Sequence, residues 1–353
     1  MNGAPLLDVR DLKVHFPLRE GWRGHVALRA VDGVSFEVAA GECAGLVGES
    51  GCGKTTLARA VLGLIRPTAG SVLFEGRDVH ALRGPALRQF RRSAQLVFQD
   101  PFDSLNPRLT VGSMLREVLN LHDPAPLSAH RARMAELLRS VGLDPAYVSR
   151  YPHEFSGGQR QRIGIARALA VRPSFIVADE PVSALDVSVQ VQILNLLRDL
   201  QARLNLAYLF VAHDLAVVRY MCHRVLVMYL GRIVESAPVD GLFGLPSHPY
   251  TEALLAAVPD VDKGLEARTK GRRRIVLKGD VPSPTQRIPG CPFHPRCHRA
   301  VALCRTAPPP TVEVAPGHAS VCHLARPGVG LGQAGAAVLS SADDPTGTGR
   351  ATV

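Results

Sequence analysis

Residues 48–55 read GESGCGKT and satisfy the pattern G-x-x-x-x-G-K-[ST]. Each residue type there has a chemical use: glycines free backbone N–H groups to wrap phosphate oxygens, a lysine reaches the β and γ oxygens, and a hydroxyl reaches Mg²⁺. Gly48, Ser50, Gly51, Cys52, Gly53, Lys54, Thr55 and Thr56 are therefore candidate ATP contacts, with Cys52 a small filler rather than a reactive thiol. Residues 175–181, FIVADEP, end an apolar run in two carboxylates, as a buried strand does when it delivers acids to a sheet edge. Asp179 would join the Mg²⁺ shell with Thr55, and Glu180 would orient and deprotonate an attacking water. Alone, Asp-Glu after a strand is an ordinary solvated turn; downstream of a phosphate loop the pair reads as hydrolytic. Gln99, ending AQLVFQ, and His213, ending LFVAH, would stand at the same edge.

A third stretch, YPHEFSGGQRQR at residues 151–162, sets a bare turn before a polar, basic helix start. The N–H groups of Ser156, Gly157 and Gly158 and the positive end of the helix suit an anion. An ordinary N-cap at Ser156 accounts for the same residues.

The elements that must position these groups are legible from periodicity. Short β-branched or alternating runs punctuated by glycine over about residues 7–80 predict strands, with a helix on TTLARAVLGL after the phosphate loop. Residues 103–170 read as mostly helical. Strand SFIVAD, helix VSVQVQILNLLRDLQARL and strand AYLFVAH then alternate. Such alternation predicts an α/β core, with the helical middle inserted into it.

Composition narrows the setting. A chain of 353 residues is long enough for one sizeable domain plus something smaller. The formal charge of +10 is spread along the chain apart from the knot TKGRRR at 269–274, read as a solvated linker or a contact with anionic lipid. No signal-peptide core and no apolar run near ~18 residues are found, so a cytosolic protein reaching the membrane through a partner is expected. In that compartment the 7 cysteines are not expected to form structural disulfides. Pro, Cys, Arg and His become dense over 282–323, and Gly, Ala and Asp dominate after 327.

The phosphate loop, Gln99, FSGGQ at 155–159, ADEP at 178–181, SALD at 183–186 and His213 follow one another in an order that resembles the ATP-binding subunit of ABC transporters, over about residues 5–325. The resemblance implies an ABC-type P-loop NTPase core with an antiparallel β subdomain and an inserted helical subdomain, plus a small Cys/Pro-rich C-terminal extension. It divides the chain into a nucleotide-binding domain at 5–258, an extension at 259–325 and a disordered tail at 326–353. It further implies that Ser156, Gly157, Gly158 and Gln159 bind the γ-phosphate of ATP held by an opposite subunit, and that Asp186 reaches across the seam. His213 would contact the γ-phosphate, Gln99 would sense Mg²⁺ and water, and an aromatic would stack on adenine: Phe16, or else Trp22 or His25.

More narrowly, FQDPFDSLNPRLTVG, ADEPVSALDVSVQ and SHPYTEALLAAVP resemble oligopeptide and dipeptide importer ATPases, in the subunit that pairs with a sister ATPase. The implied partners are that sister, two membrane permeases docking near residues 100–107, and an extracytoplasmic peptide-binding protein, with no nucleic acid and a peripheral place on the cytoplasmic face. Import of nickel or another small solute, or a soluble ABC ATPase acting on DNA or ribosomes, are the alternatives. Cys291, Cys297, Cys304 and Cys322 lie in a context, GCPFHPRCHRAVALC, that resembles extensions some of which bind a [4Fe–4S] cluster. Iron–sulfur, zinc, or four free or buried thiols are the readings.

Overall fold

The computed structural model describes residues 4–20, 24–99, 105–122, 126–257 and 279–328. Trp22, the side chain of His25, residues 100–104, the segment 258–278 with its basic knot, and the tail from 329 lie outside the described residues. The chain divides into two compact units, Met1–Ile233 with Val281–Arg287, and Val234–Asp280 with Ile288–Val353.

The first unit holds two sheets. In the antiparallel one, β1 (Leu7–Glu20) lies between β2 (Gly24–Val38) and β4 (Ala69–Phe74), with the short β5 (Arg77–Asp78) outside β4. Leu7, Val9, Leu12 and Val14 of β1 are buried, with irregular register between Val9 and Lys13, where Asp11 takes a positive φ of 41°. The other sheet is parallel, in the order β6 (Ala94–Val97), β7 (Phe175–Asp179), β8 (Ala207–Ala212), β3 (Cys43–Val47), β9 (Arg224–Tyr229). Its central strands are buried along their whole length, which is why FIVAD and AYLFVA are unbroken apolar runs rather than alternating ones.

Helix α1 (Lys54–Val61) buries Leu57, Ala58 and Val61 in the core shared by the two sheets, and the ring of Phe74 meets Phe90 at 5.3 Å and Phe175 at 6.2 Å. Burying a side chain such as Phe175 contributes roughly 1.5–3 kcal/mol. The helix α2 (Gly84–Ser93) leads into β6. After β6 come the inserted helices α3 (Val111–His122), α4 (Leu127–Ser140) and α5 (Gly157–Leu169), and beyond β7 the long α6 (Val187–Leu204) and the short α7 (Leu215–Met221). The register Val97↔Ala178, Asp179↔Val211 and Val47↔Ala212 aligns the C-terminal ends of β6, β7, β8 and β3. Whatever follows those strands is delivered to one edge.

In the second unit β10 (Arg232–Pro238) pairs with β12 (His318–Val321), and β12 with β11 (Thr311–Ala315). Helices α8 (Val239–Gly244), α9 (Pro249–Ala257) and α10 (Leu303–Thr306) accompany them. Glu235, fully enclosed, accepts from the backbone N–H of Ser247 (2.7 Å) and His248 (3.0 Å) and pairs with His318 Nε2 (2.8 Å). His248 is itself buried, and loss of hydration pushes its imidazole down to about 3. No described helix is long and apolar enough to cross a membrane.

Candidate nucleotide site

The phosphate loop leaves β3 at Val47 and returns as α1. Two of its glycines are required by geometry: Gly48 has φ 158° and Gly53 φ 108°, and an added Cβ would lie 2.2 Å from the Met228 carbonyl oxygen and 2.0 Å from that of Ala30. Gly51, also at positive φ, has open space around it, so backbone rather than side chain faces outward there. Lys54 is buried, and its Nζ donates to the carbonyls of Gly48 (2.8 Å) and Glu49 (3.1 Å) while standing 3.9 Å from Glu180. Ser50 and Thr56 lie on the loop and on the first turn of α1. Cys52 is sealed inside the loop and burial pushes its thiol up, in keeping with a filler.

The carboxylates follow from β7. Asp179 is buried and 3.4 Å from the Thr55 hydroxyl; loss of hydration raises its pKa, and the Thr55 bond opposes the rise. A hydroxyl and a carboxylate side by side form a hard oxygen pair of the kind that suits Mg²⁺. Glu180 sits at φ 46°, a left-handed backbone, with its N–H on the Val211 carbonyl (3.0 Å). Its carboxylate accepts from Gln99 Nε2 (3.0 Å) and meets His213 Nδ1 (3.3 Å). Gln99, Asp179, Glu180 and His213, all at strand ends, thus converge with Lys54 and Thr55 at the start of α1.

The SGGQ turn is built differently. Ser156 caps α5 by accepting from the Gln159 N–H (3.4 Å), and the Gln159 side chain returns to the Ser156 N–H (3.0 Å). The N-cap reading is met, while of the turn residues Ser156 is exposed, Gly157 half-buried and Gly158 buried. Gly158 is packed tightly: a Cβ would come 2.4 Å from Val189 Cγ1 of α6, whereas one at Gly157 would be 3.3 Å from Leu185 Cδ2. Asp186, exposed at the start of α6, accepts from Ser188 Oγ (2.6 Å) and the Val189 N–H (3.0 Å), which hold its carboxyl below the usual range. No hydrogen bond or ion pair among the described residues joins Ser156, Gln159 or Asp186 to Lys54 or Glu180.

Phe16, on β1 opposite Leu28, is half-buried with its ring against the core cluster. Two contacts escaped the sequence reading. Ser183 Oγ donates to the Glu180 carbonyl (3.0 Å), and buried Gln161 Nε2 donates to the Phe98 carbonyl (3.4 Å), tying α5 to the residue before Gln99. Ser183 was visible inside SALD; Gln161, within QRQR, looked like any polar helix start.

The cysteine expectation needs correction. Cys291, Cys304 and Cys322 are buried and Cys297 half-buried, but among the described residues no group of three or more His, Cys, Asp or Glu is arranged to hold a metal ion. Burial pushes the Cys297 thiol up to about 12 and that of Cys322 up to about 11, so the protonated form is favoured. The four thiols are within electrostatic reach of one another, yet as arranged and protonated they do not fit an iron–sulfur cluster.

Comparison with known proteins gives the following. The ABC transporter family matches residues 31–183, and the family described as the oligopeptide/dipeptide transporter C-terminal region matches 234–304. The chain is 52% identical over 322 residues to a protein of Brucella melitensis named for peptide import and ATP binding, covering 91% of this chain and 98% of that one. It is 50% identical over 326 residues to the oligopeptide transport ATP-binding protein AppF of Bacillus subtilis, covering 92% and 98%. Among solved structures it is similar to cbiO1 of Clostridium perfringens, part of an ABC transporter complex (TM-score 0.59, 26% identity, covering 68% and 91%). It is also similar to a dimeric, post-hydrolysis ATP-binding cassette bound to ADP and Pi (TM-score 0.58, 28% identity, covering 66% and 98%).

Proposed function

We propose, on the premise that this chain belongs to the ABC transporter family and carries the C-terminal region of its oligopeptide/dipeptide transporters, that it hydrolyses ATP to power import of di- and oligopeptides. The observation that carries the hydrolytic half is one carboxylate, Glu180, meeting Gln99 at 3.0 Å and His213 at 3.3 Å, with Lys54 at 3.9 Å beside the phosphate loop. In this reading Glu180 takes a proton from the attacking water, Gln99 and His213 hold it in position, and Lys54 balances phosphate charge. Thr55 and Asp179 would hold Mg²⁺, which would supply charge neutralisation for the phosphates when bound. Lys54 exchanges the carbonyls of Gly48 and Glu49 for phosphate oxygens, a stronger, charge-assisted partner.

Among the described residues the side chains of Ser156, Gln159 and Asp186 bond only within their own helix starts, which fits a turn that serves the ATP of a second subunit. Two such subunits then enclose ATP between Lys54 of one and Ser156 to Gln159 of the other. The reading extends to a sister ATPase as that second subunit, two permeases, an extracytoplasmic peptide-binding protein and a peripheral seat on the cytoplasmic face of the membrane. Phe16 remains the proposed adenine platform. A [4Fe–4S] cluster on Cys291, Cys297, Cys304 and Cys322 is left out, because those side chains form no ligand group.

Uptake of labelled di- and oligopeptides in the source cells with Glu180→Gln in place tests the reading. Loss of peptide uptake with other nutrients unaffected is the expected result. Unchanged uptake with the variant stably present would overturn it.

A further inference from the structure

One cavity in the first unit lies at the strand ends opposite the phosphate loop. It has a volume of about 150 Å³, ample for more than one water. Its charged and titratable lining consists of Arg92, Arg133, Arg172, His122 and His130, with no Asp or Glu among the lining residues. Sequence distance hides this gathering: Arg92 ends α2, His122 ends α3, His130 and Arg133 start α4, and Arg172 follows α5. The site sits where β6 and β7 begin, Ala94 pairing with Phe175, and so at the opposite end of those strands from Gln99 and Glu180.

A bland account exists for some of this charge. Cations near helix C-termini complement the dipole and the last carbonyls. Arg92 Nε does donate to the Val171 carbonyl (3.3 Å), and Arg133 reaches the Leu169 carbonyl (3.5 Å) and Glu136 (2.8 Å). Each guanidinium carries five donors in a planar fork, so these bonds leave most of the fork unused. Arg172 has no side-chain hydrogen bond among the described residues, and it holds a left-handed backbone of φ 54°. The positive potential is also felt locally: burial, then Arg92 and Arg88, depress the His122 pKa. One carboxylate, Glu136, pairs with Arg133 and is also within electrostatic reach of Arg172, against three guanidinium groups in all.

We propose that this cavity is a binding site for a phosphate group, taken up by the guanidinium forks of Arg92, Arg133 and Arg172. Planar forks match tetrahedral oxyanions in geometry as well as charge. Buried Leu119 and Val171 form the apolar floor beneath these forks, where a charge-assisted contact is stronger than in open water. An occupant there bears on the C-terminal end of α5, whose N-terminus about 20 Å away carries Ser156 and Gly158. The phosphate could belong to a soluble anion or to a phospholipid headgroup.

The test follows the His122 imidazole by NMR in the full-length protein, with saturating ADP and Mg²⁺ occupying the phosphate loop. One arm adds inorganic phosphate; the other adds vesicles of phosphatidylglycerol against phosphatidylcholine. A saturable shift of His122 and a rise in its pKa on adding phosphate support the site with a soluble ligand; the same response to phosphatidylglycerol vesicles alone supports a lipid headgroup. Arg172→Gln, at an exposed position, should leave thermal unfolding unchanged and weaken binding roughly tenfold, the scale of losing one charged contact. Arg92→Gln should weaken binding by a similar factor, with a small loss of thermal stability from its bond to the Val171 carbonyl. A His122 signal that responds to neither arm, or whose response survives both substitutions, overturns the proposal.

Discussion

Replacing Gly158 with alanine probes how the SGGQ turn is held. The added methyl would lie 2.4 Å from Val189 Cγ1, where ordinary contact begins near 3.4 Å, so α5 and α6 must part locally by about 1 Å. Overpacking of this kind costs ~1–3 kcal/mol, and the gain of replacing glycine in a helix offsets ~0.5–1 kcal/mol of it. A net loss of about 1–2 kcal/mol should lower the unfolding temperature by a few degrees. Gly157→Ala is the control, because its Cβ would be 3.3 Å from the end of the flexible Leu185 side chain, and its stability should stay near wild type. Function should suffer more than stability: if Ser156 makes the phosphate contact proposed for it, a ~1 Å displacement misplaces that contact, enough to cost on the order of 10² in turnover. The assay is ATP hydrolysis by the assembled transporter alongside thermal unfolding of each variant. Val189→Ala added to Gly158→Ala removes the obstructing methyls and should restore much of both. If Gly158→Ala melts with wild type and hydrolyses ATP normally, or if Val189→Ala rescues nothing, the claim that this contact positions the turn is wrong.

Glu180→Gln keeps the side chain's shape but removes its basicity, and should reduce ATP turnover by ~10² or more while leaving ATP-dependent dimers longer-lived on size-exclusion chromatography. Normal turnover would remove Glu180 from the chemistry. Asp179 carries a raised pKa, so its contribution to folding is fully present below the unfolded-state value near ~4 and is lost as pH rises through the folded value. Asp179→Asn should therefore raise the unfolding temperature at pH 7 in the presence of chelator, with a smaller gain near pH 4, while abolishing hydrolysis; a lower unfolding temperature at pH 7 would contradict this. In the second unit, Glu235→Ala leaves the N–H groups of Ser247 and His248 and the ring of His318 without their buried acceptor. A loss of ~3–5 kcal/mol is expected, read as fast amide exchange at Ser247 and His248; protection equal to wild type would show the acceptor to be dispensable.

Much of the parallel core was legible because its strands are buried on both faces, which forces unbroken apolar runs, and because each run ends in a polar residue where the edge begins. The phosphate loop was legible for a related reason: glycines at positions 48 and 53 answer backbone clashes that any Cβ would create. What could not be read was tertiary. Val189 lies 31 positions after Gly158, and nothing in either local sequence announces a 2.4 Å clearance. Glu235 and His318 are separated by 83 residues, and their meeting depends on the pairing of β10 with β12. The four late cysteines illustrate the converse. Their crowding along the chain suggested a ligand set, and the thiols do come within electrostatic reach of one another, yet no metal-holding group is found among the described residues.

The left-handed backbone at Glu180 explains how one strand serves two chemical tasks. Successive side chains of a strand point to opposite faces, so continued β geometry would send Asp179 and Glu180 apart. A positive φ at a non-glycine residue costs roughly 1–2 kcal/mol, and here it is held by the Glu180 N–H on Val211 and by Ser183, whose N–H and hydroxyl both reach the Glu180 carbonyl. The turn redirects the second carboxylate along the sheet edge. Asp179 then faces Thr55 across to α1, while Glu180 faces Gln99 on one neighbouring strand end and His213 on the other. Strain at this residue is therefore the means by which adjacent acids are turned apart, as the proposed cation-binding and proton-accepting roles require, and Ser183 matters to that proposal because it holds the strain in place.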